Sequence, residues 1–320
     1  MKSNLPFISI VMATYNGANY IEEQLNSIAA QTYQNFELII QDDNSSDNTV
    51  EIIKKFSNKL SIKLAINHEN LGYIKNFETT LKKAKGDFVA LCDQDDIWVE
   101  NKLEKLLENI GDNSLIYANS MLVDSEGKSL NKSLSDKLNN NFIHSHSPLN
   151  FLYDNCVSAH AVLFKSELLS TLFPFPKNLY FDAWIAANAA AQGGVRYLPE
   201  NLVLYRQHAN NTLSKNEKKQ PSLIKKVSIK AGKKRVETEN TILTLQDLLA
   251  STALNQHQRD LLEKLLNMEK DFEKTWFNLP LFSFLFRYRH LFFAITKKNS
   301  LLLCLKKAIG YKSYKLFPFL

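Results

Sequence analysis

Three carboxylates, Asp93, Asp95 and Asp96, fall within four consecutive positions of the chain. Unpaired carboxylates this close repel one another unless a cation or hydrogen-bond donors compensate. A hard divalent ion accepts such oxygens and also bridges to a diphosphate. The plain alternative is a solvated acidic turn with Asp96 capping the next helix. Asp42 and Asp43 form a second acidic pair. Asp43 could accept from the ring imide N–H of a pyrimidine while Asp42 orients the loop, and an Asx-turn with helix capping is the competing reading. Asp182, flanked by Phe181 and Trp184, precedes a helix of small residues. An aspartate in an aromatic-lined cleft can serve as a general base; a helix N-cap explains it equally well. His208 could be a neutral imidazole ligand to a borderline ion or a loop residue.

These residues need a scaffold, and the pattern supplies one. Phe7–Ala13, Phe36–Gln41, Ile62–Ile66 and Phe88–Leu91 are short apolar or β-branched runs that read as strands. Between them, Ile21, Leu25 and Ile28, then Val50, Ile53 and Phe56, then Phe77, Leu81 and Ala84 recur at helical spacing. Ser46 or Asp47 is placed to cap the second helix. Such βαβ alternation implies a mainly parallel sheet covered on both faces, with ligands beyond the carboxyl ends of the strands. The turn Thr14-Tyr15-Asn16-Gly17, the loop Asp42–Asp47 and the cluster Asp93–Asp96 all fall at such ends. Further strands are expected at Leu115–Ala118, Ala161–Phe164, Val195–Leu198 and Leu202–Arg206, and a helix at Asp182–Ala191. Residues 124–147, rich in Ser, Asn, Lys and His, read as a mobile surface excursion. Helices are expected from Lys225 to about Leu249 and from Leu254 to Phe272, followed by the apolar run Leu281–Ile295 and by Leu301–Leu305.

Of the 320 residues, 45% are hydrophobic and 22% charged, which excludes a mostly disordered chain. The charge is divided unevenly. Residues 1–214 carry a net −6 and residues 215–320 a net +12, which places a domain boundary near 215. An acidic domain can hold a nucleotide diphosphate when Mg²⁺ or Mn²⁺ sits between them. Cys92, Cys156 and Cys304 are too few for a disulfide framework or an all-thiolate zinc site, and their wide spacing suggests a reducing compartment. The N-terminus lacks the pattern of a secretory signal, and no segment has the length and apolarity of a spanning helix. A cytoplasmic location is the expectation. The tail from 277 holds eight Lys and Arg, no acid and many aromatics. It fits an anionic membrane surface better than nucleic acid, for which no recognition motif is present. Internal packing, with Phe282, Phe286, Phe292 and Phe293 buried, is the alternative, and a homodimer contact is a third use.

The blocks ISIVMATYNGANYIEEQLNSIAAQTYQNFELIIQDDNSSDNT, NLGYIKNFETTLKKAKGDFVALCDQDDIW and YFDAW, with LPENLVLYRQHANN beyond, span roughly residues 7–214. In them the chain resembles the family-2 glycosyltransferases, which have the α/β GT-A fold. The ending FDAW…YRQHANN looks most like the bacterial rhamnosyltransferase-type branch, which builds surface polysaccharide. The resemblance implies an inverting, metal-dependent enzyme. It would move a sugar, rhamnose from dTDP-rhamnose or else a UDP-linked hexose or N-acetylhexosamine, from a nucleotide-diphosphate donor to a hydroxyl of a glycan or lipid-linked glycan. A non-catalytic sugar-nucleotide-binding scaffold is the alternative from another class. Thr14, Tyr15 and Asn16 resemble the residues that cradle the nucleotide, and Asp43 the one that reads the base. Asp93 and Asp95 resemble the D-x-D pair, with Asp95 the metal ligand. Asp182 resembles the general base, and His208 the histidine that closes around diphosphate and metal. Two departures stand out. Asn119 replaces an aspartate in the part contacting donor sugar or ribose, and Ala159-His160 replaces glycine-histidine. The lipid-linked acceptors common in such enzymes agree with peripheral attachment to the inner face of the bacterial plasma membrane.

Overall fold

The structure, a computed structural model, describes residues 5–176, 180–208, 223–251, 254–271, 274–310 and Ser313, with the backbone alone for 223–232. The strands are β1 (Ile8–Thr14), β2 (Phe36–Asp42), β3 (Ile62–Ile66), β4 (Phe88–Cys92), β5 (Ile97–Trp98), β6 (Leu115–Val123), β7 (Ser129–Ser133), β8 (Val162–Lys165) and β9 (Val195–Arg206). The helices are α1 (Ile21–Ala29), α2 (Thr49–Lys55), α3 (Tyr73–Leu81), α4 (Lys102–Asn109), α5 (Leu134–Leu138), α6 (Leu169–Leu172), α7 (Phe181–Gln192), α8 (Leu223–Ala250), α9 (Gln256–Glu269), α10 (Leu279–Arg287), α11 (Arg289–Phe292) and α12 (Ser300–Ala308). The expected boundary near 215 lies outside the described residues.

One mixed sheet runs β3-β2-β1-β4-β8-β6-β9-β5, with β7 added to β6. The first four strands are parallel, as the βαβ spacing requires. β8 is antiparallel to both β4 and β6, and β9 is parallel to β6. Two reversals restore direction, so β6 and β9 point the same way as β1, β2 and β4. The carboxyl ends of all five therefore emerge along one edge of the sheet.

Side chains of a strand alternate between faces, and here both faces are dry. Val11, Val89, Leu91 and Tyr117 enter one apolar cluster; Ile10, Met12, Ala90, Cys92 and Ile116 enter the other. This is why these strands read as continuous apolar runs. The second cluster is closed by Leu25 and Ile28 of α1, Ile53 of α2, and Leu103 and Leu106 of α4. The first takes Phe77 and Leu81 of α3 and the small-residue helix α7. It continues into Leu245 and Leu248 of α8, Leu261, Leu262 and Leu265 of α9, Leu285 of α10 and Phe292 of α11.

Several expectations are corrected. Val195–Leu198 and Leu202–Arg206 form one strand, because an irregular register beside Ala118, Asn119 and Ser120 lets β9 continue past Pro199. Residues 124–147 are not a loose excursion. They form β7 and α5, the latter held by a capping box at Ser133, and Phe142 and Ile143 pack on the core. Asp96 does not cap a helix; α4 begins after Asn101. At α2 the residue in the cap position is Asn48, which makes no side-chain capping bond, while Asp47, one of the two expected caps, accepts from the first helical N–H, that of Thr49, at 3.0 Å. Phe181 and Trp184 do not line a cleft. Both are buried, Phe181 stacked on Phe77 at 5.0 Å and Trp184 donating its indole N–H to the Leu172 carbonyl. Of the four tail phenylalanines, Phe292 and Phe293 are buried and Phe282 is partly buried, leaving Phe286 exposed.

Candidate functional site

The strand ends are stitched to each other before any ligand is considered. Thr14, the last residue of β1, donates its hydroxyl to Asp42 Oδ2 at 2.8 Å. The same carboxylate accepts the Ser45 N–H and hydroxyl. Asn16, with φ 47°, donates its N–H to the Ser45 hydroxyl and accepts from the Ser46 N–H. Gln94, inside the acidic cluster, clamps Tyr15 by accepting from its N–H at 2.9 Å and donating to its carbonyl at 3.1 Å. The clamp occupies the space a side chain at Gly17 would need, since a Cβ there would lie 2.3 Å from Gln94 Oε1. Tyr15 itself is half exposed.

Asp43 is buried, and both its oxygens already accept. Oδ1 takes the Asn67 amide and the Leu71 N–H; Oδ2 takes the Gly72 N–H at 2.8 Å. Gly72 holds φ 81°, which favours glycine, and it opens α3. Asn119 is also engaged. Its Oδ1 accepts from the Ser120 and Ser135 N–H groups, and its amide donates to the Ser135 hydroxyl, tying β6 to α5.

The acidic cluster divides by depth. Asp95 Oδ2 lies 2.8 Å from His208 Nε2, and both side chains retain some exposure. The His208 ring lies 4.7 Å from that of Tyr20. Asp93 keeps about a third of its side chain open, 35%. Burial of the carboxyl, then the charges of Asp95 and Asp182, push it up to about 7. Asp96 is fully buried, pushed well above the usual carboxylate range by burial, then Asp95 and Asp93. Its Oδ1 accepts the Arg206 N–H, and its Oδ2 has no hydrogen-bond partner.

Three further residues hold this loop, and sequence reasoning missed their roles. His160 is buried, its Nδ1 3.8 Å from Asp93 and 3.9 Å from Asp96. Its Nε2 lies 2.8 Å from the Ser120 hydroxyl. Burial, then the Lys102 charge, push the imidazole down to about 3, so it is neutral at ordinary pH. In the tautomer that gives Nε2–H to Ser120, the Nδ1 lone pair faces the carboxylates. Asp93, Asp96 and His160 thus offer ligand atoms within 4.8 Å of one another. This donor set, with an orphaned buried oxygen and a neutral imidazole, fits a divalent ion. Lys102 is buried on α4, donates to the His160 carbonyl at 2.6 Å and sits 3.3 Å from the Trp98 ring centroid. A lysine on the apolar stripe Leu103–Leu106 was its only sequence signal. Arg206 is 1% exposed. It donates to the carbonyls of Asp95 and Ser125, pairs with Glu23, and lies over the Tyr20 ring.

Asp182 lies in the first turn of α7, where Oδ1 accepts the Ala183 N–H at 2.7 Å. Burial pushes its carboxyl up to about 6. Its charge reaches Asp93 and Tyr73. The exposed aromatics on this side are Tyr73 and Tyr180, rather than Phe181 and Trp184.

A family model described as glycosyl transferase family 2 matches residues 9–173. The UDP-Glc:alpha-D-GlcNAc-diphosphoundecaprenol beta-1,3-glucosyltransferase WfgD of Escherichia coli is 34% identical over 184 residues, 56% of this chain and 68% of that protein. The putative teichuronic acid biosynthesis glycosyltransferase TuaG of Bacillus subtilis is 31% identical over 156 residues, 48% of this chain and 57% of that one. Among solved structures, S. aureus TarS 1-349 in complex with UDP-GlcNAc superposes with a TM-score of 0.57 at 21% identity, covering 83% of this chain and 73% of that one. At that identity the likeness is one of fold.

Proposed function

Because the chain belongs to glycosyl transferase family 2, we propose that it moves a sugar from a nucleotide diphosphate to a hydroxyl of a glycan acceptor, inverting the anomeric centre. The observation that carries this reading is the convergence of Asp182, its carboxyl raised to about 6, with the acidic loop whose Asp93 feels its charge. A carboxylate poised near neutrality is suited to take a proton from an attacking hydroxyl. Asp182 accepts that proton as the acceptor oxygen reaches the anomeric carbon. One direct displacement inverts the centre, and no second carboxylate nucleophile is needed.

Asp95 and His208 are assigned to the metal, with Asp93 alongside. They keep open surface on the cleft, whereas Asp96 and His160 are sealed, and a diphosphate needs an accessible coordination position. An ion held there, Mg²⁺ or Mn²⁺, would supply positive charge to the departing diphosphate. Thr14, Tyr15 and Asn16 are assigned to the nucleotide, with Asp43 sharing its Oδ2 with the base. Asn119, anchored through Ser135, underlies the sugar. Residues 1–214 then carry the chemistry and 215–320 support it. The donor named for WfgD is UDP-glucose, which supports a UDP-linked hexose or N-acetylhexosamine here over dTDP-rhamnose. The diphosphoundecaprenol in the WfgD name supports a lipid-linked acceptor.

The test is turnover of purified protein with UDP-glucose, UDP-N-acetylglucosamine and dTDP-rhamnose, with Mn²⁺ and in chelator. A UDP sugar consumed only with metal is the expected result, and consumption of none of them overturns the reading. His208→Ala should raise the metal concentration required; if only His160→Ala does so, the ion belongs to the Asp93–Asp96–His160 cluster instead.

A further inference from the structure

The last helices present two unlike faces. α10 and α12 pack together and are locked at one end, where the Asn278 N–H donates to the Ala308 carbonyl and the Gly310 N–H to the Trp276 carbonyl, each at 2.8 Å. Their inner sides, Leu281, Phe284 and Leu285 on one and Cys304 and Ala308 on the other, are buried. Outside lie Trp276, Leu279, Phe286, Leu301, Leu302 and Leu305, with Leu279 61% and Leu302 49% exposed. Single exposed leucines are ordinary; five large apolar side chains exposed on one helix pair, with Trp276 three residues before it, are not. In the same segment Arg287, Arg289, Lys297, Lys298 and Lys306 are exposed, and no acidic residue follows Glu273. The Arg289 guanidinium lies 4.6 Å from the centroid of the exposed Phe286 ring, placing charge directly beside apolar surface.

We infer that this face of α10 and α12 docks the protein on an anionic lipid surface. Three occupants can be weighed by chemistry. A second copy meeting the face across a two-fold axis would bring like positive charges together, which opposes association. A nucleic acid would engage the cations through phosphates but leave the leucines without a partner. An anionic bilayer takes both, headgroups against Arg and Lys and the acyl boundary against Leu, Phe and Trp. No helix among the described residues is long and apolar enough to cross a membrane, so attachment by this face lies along the surface. The inference stands apart from the catalytic reading and does not depend on it.

The experiment is flotation of the full chain with phosphatidylcholine vesicles, with and without phosphatidylglycerol, at low and high salt. The protein should float with phosphatidylglycerol vesicles at low salt and be released by high salt. Leu279→Asn, Leu301→Asn and Leu302→Asn together should weaken vesicle binding by roughly tenfold or more, since each removes apolar surface from the lipid boundary. Arg287→Ser, Lys297→Ser and Lys298→Ser together should remove the preference for phosphatidylglycerol. Should the apolar triple variant lose its cooperative melt, Leu279→Asn alone carries the test, with an expected loss of about threefold. Wild-type protein that ignores phosphatidylglycerol vesicles at low salt overturns the inference. So does a folded apolar variant that binds as tightly as wild type. A wild-type dimer that the apolar variant makes monomeric, with vesicle binding unchanged, assigns the face to self-association and overturns it as well.

Discussion

Asp182 is held near neutrality by burial, with only the Ala183 and its own N–H opposing the shift. Its basic form is the active one, so protonation on the acid side removes the base. With kcat/KM measured under saturating metal, the rate should fall about tenfold per pH unit below about 6, in line with one titrating base. Asp182→Asn should cost ~10²–10⁴-fold in kcat and leave nucleotide-diphosphate affinity nearly unchanged. A variant that loses mainly donor binding would move the base elsewhere. Arg206 works differently, through carbonyls rather than substrate. Its guanidinium fixes the Asp95 backbone while its own N–H holds Asp96, two residues before His208. Arg206→Ala should lower stability by about 1–3 kcal/mol, because the Asp95 and Ser125 carbonyls lose a charged donor. Arg206→Lys, which keeps charge without the fork, should melt closer to wild type. In a metal titration of activity it should still show a raised requirement for Mn²⁺. An unchanged requirement would leave Arg206 a purely structural residue.

The edge formed by β1, β2 and β4 is a case of elements positioning residues through their loops. Each loop's polar side chains are spent on the neighbouring loop: Thr14 on Asp42, Asn16 on Ser46, Gln94 on Tyr15. Such mutual bonding preorganises the cleft, which lowers the cost of ordering it on binding. Gly17→Ala tests this at the tightest contact. The new Cβ would sit 2.3 Å from Gln94 Oε1, and the Gln94 side chain is the part able to move. The substitution should cost about 1–3 kcal/mol and release the Tyr15 clamp. Donor KM should rise while kcat changes less. Adding Gln94→Ala should recover most of the stability but not the KM, a non-additivity that a double-mutant cycle reads directly. If the double variant is as unstable as Gly17→Ala alone, the clash lies elsewhere in the loop.

Across the whole molecule, one apolar cluster joins the sheet to the C-terminal helices. Leu248, Leu262, Leu265 and Phe292 share it with Tyr117, Phe164 and Trp184. Fully burying each such side chain contributes about 1.5–3 kcal/mol, and domains of this size are stable by only about 5–15 kcal/mol. A chain ended at residue 214 should therefore expose a wide apolar face and be recovered as aggregate. Reduced thermal stability by scanning calorimetry should accompany Leu262→Ala in the full chain, at a cost of about 2–5 kcal/mol. A truncated chain that melts cooperatively and turns over donor would show that residues 215–320 are dispensable to folding.

The strands β1, β2, β3 and β4, their crossover helices and the polar ends at Thr14, Asp42 and Asp93 were legible in the sequence. Parallel strands dry on both faces leave continuous apolar runs, and loops at their ends must be polar. The meeting of Asp95 with His208, 113 positions apart, could be expected only by resemblance. No local rule sets it; the double reversal through β8 does. Asp96, Lys102, His160 and Arg206 lay beyond periodicity, because a buried charge has the same spelling as an exposed one. Only packing decides that the Asp96 carboxylate turns inward, that His160 is stripped of water and held neutral, and that Phe292 goes to the core while Phe286 stays outside. Residue type fixed what chemistry each side chain could do, and the tertiary fold decided which side chains were desolvated, and so which could do it.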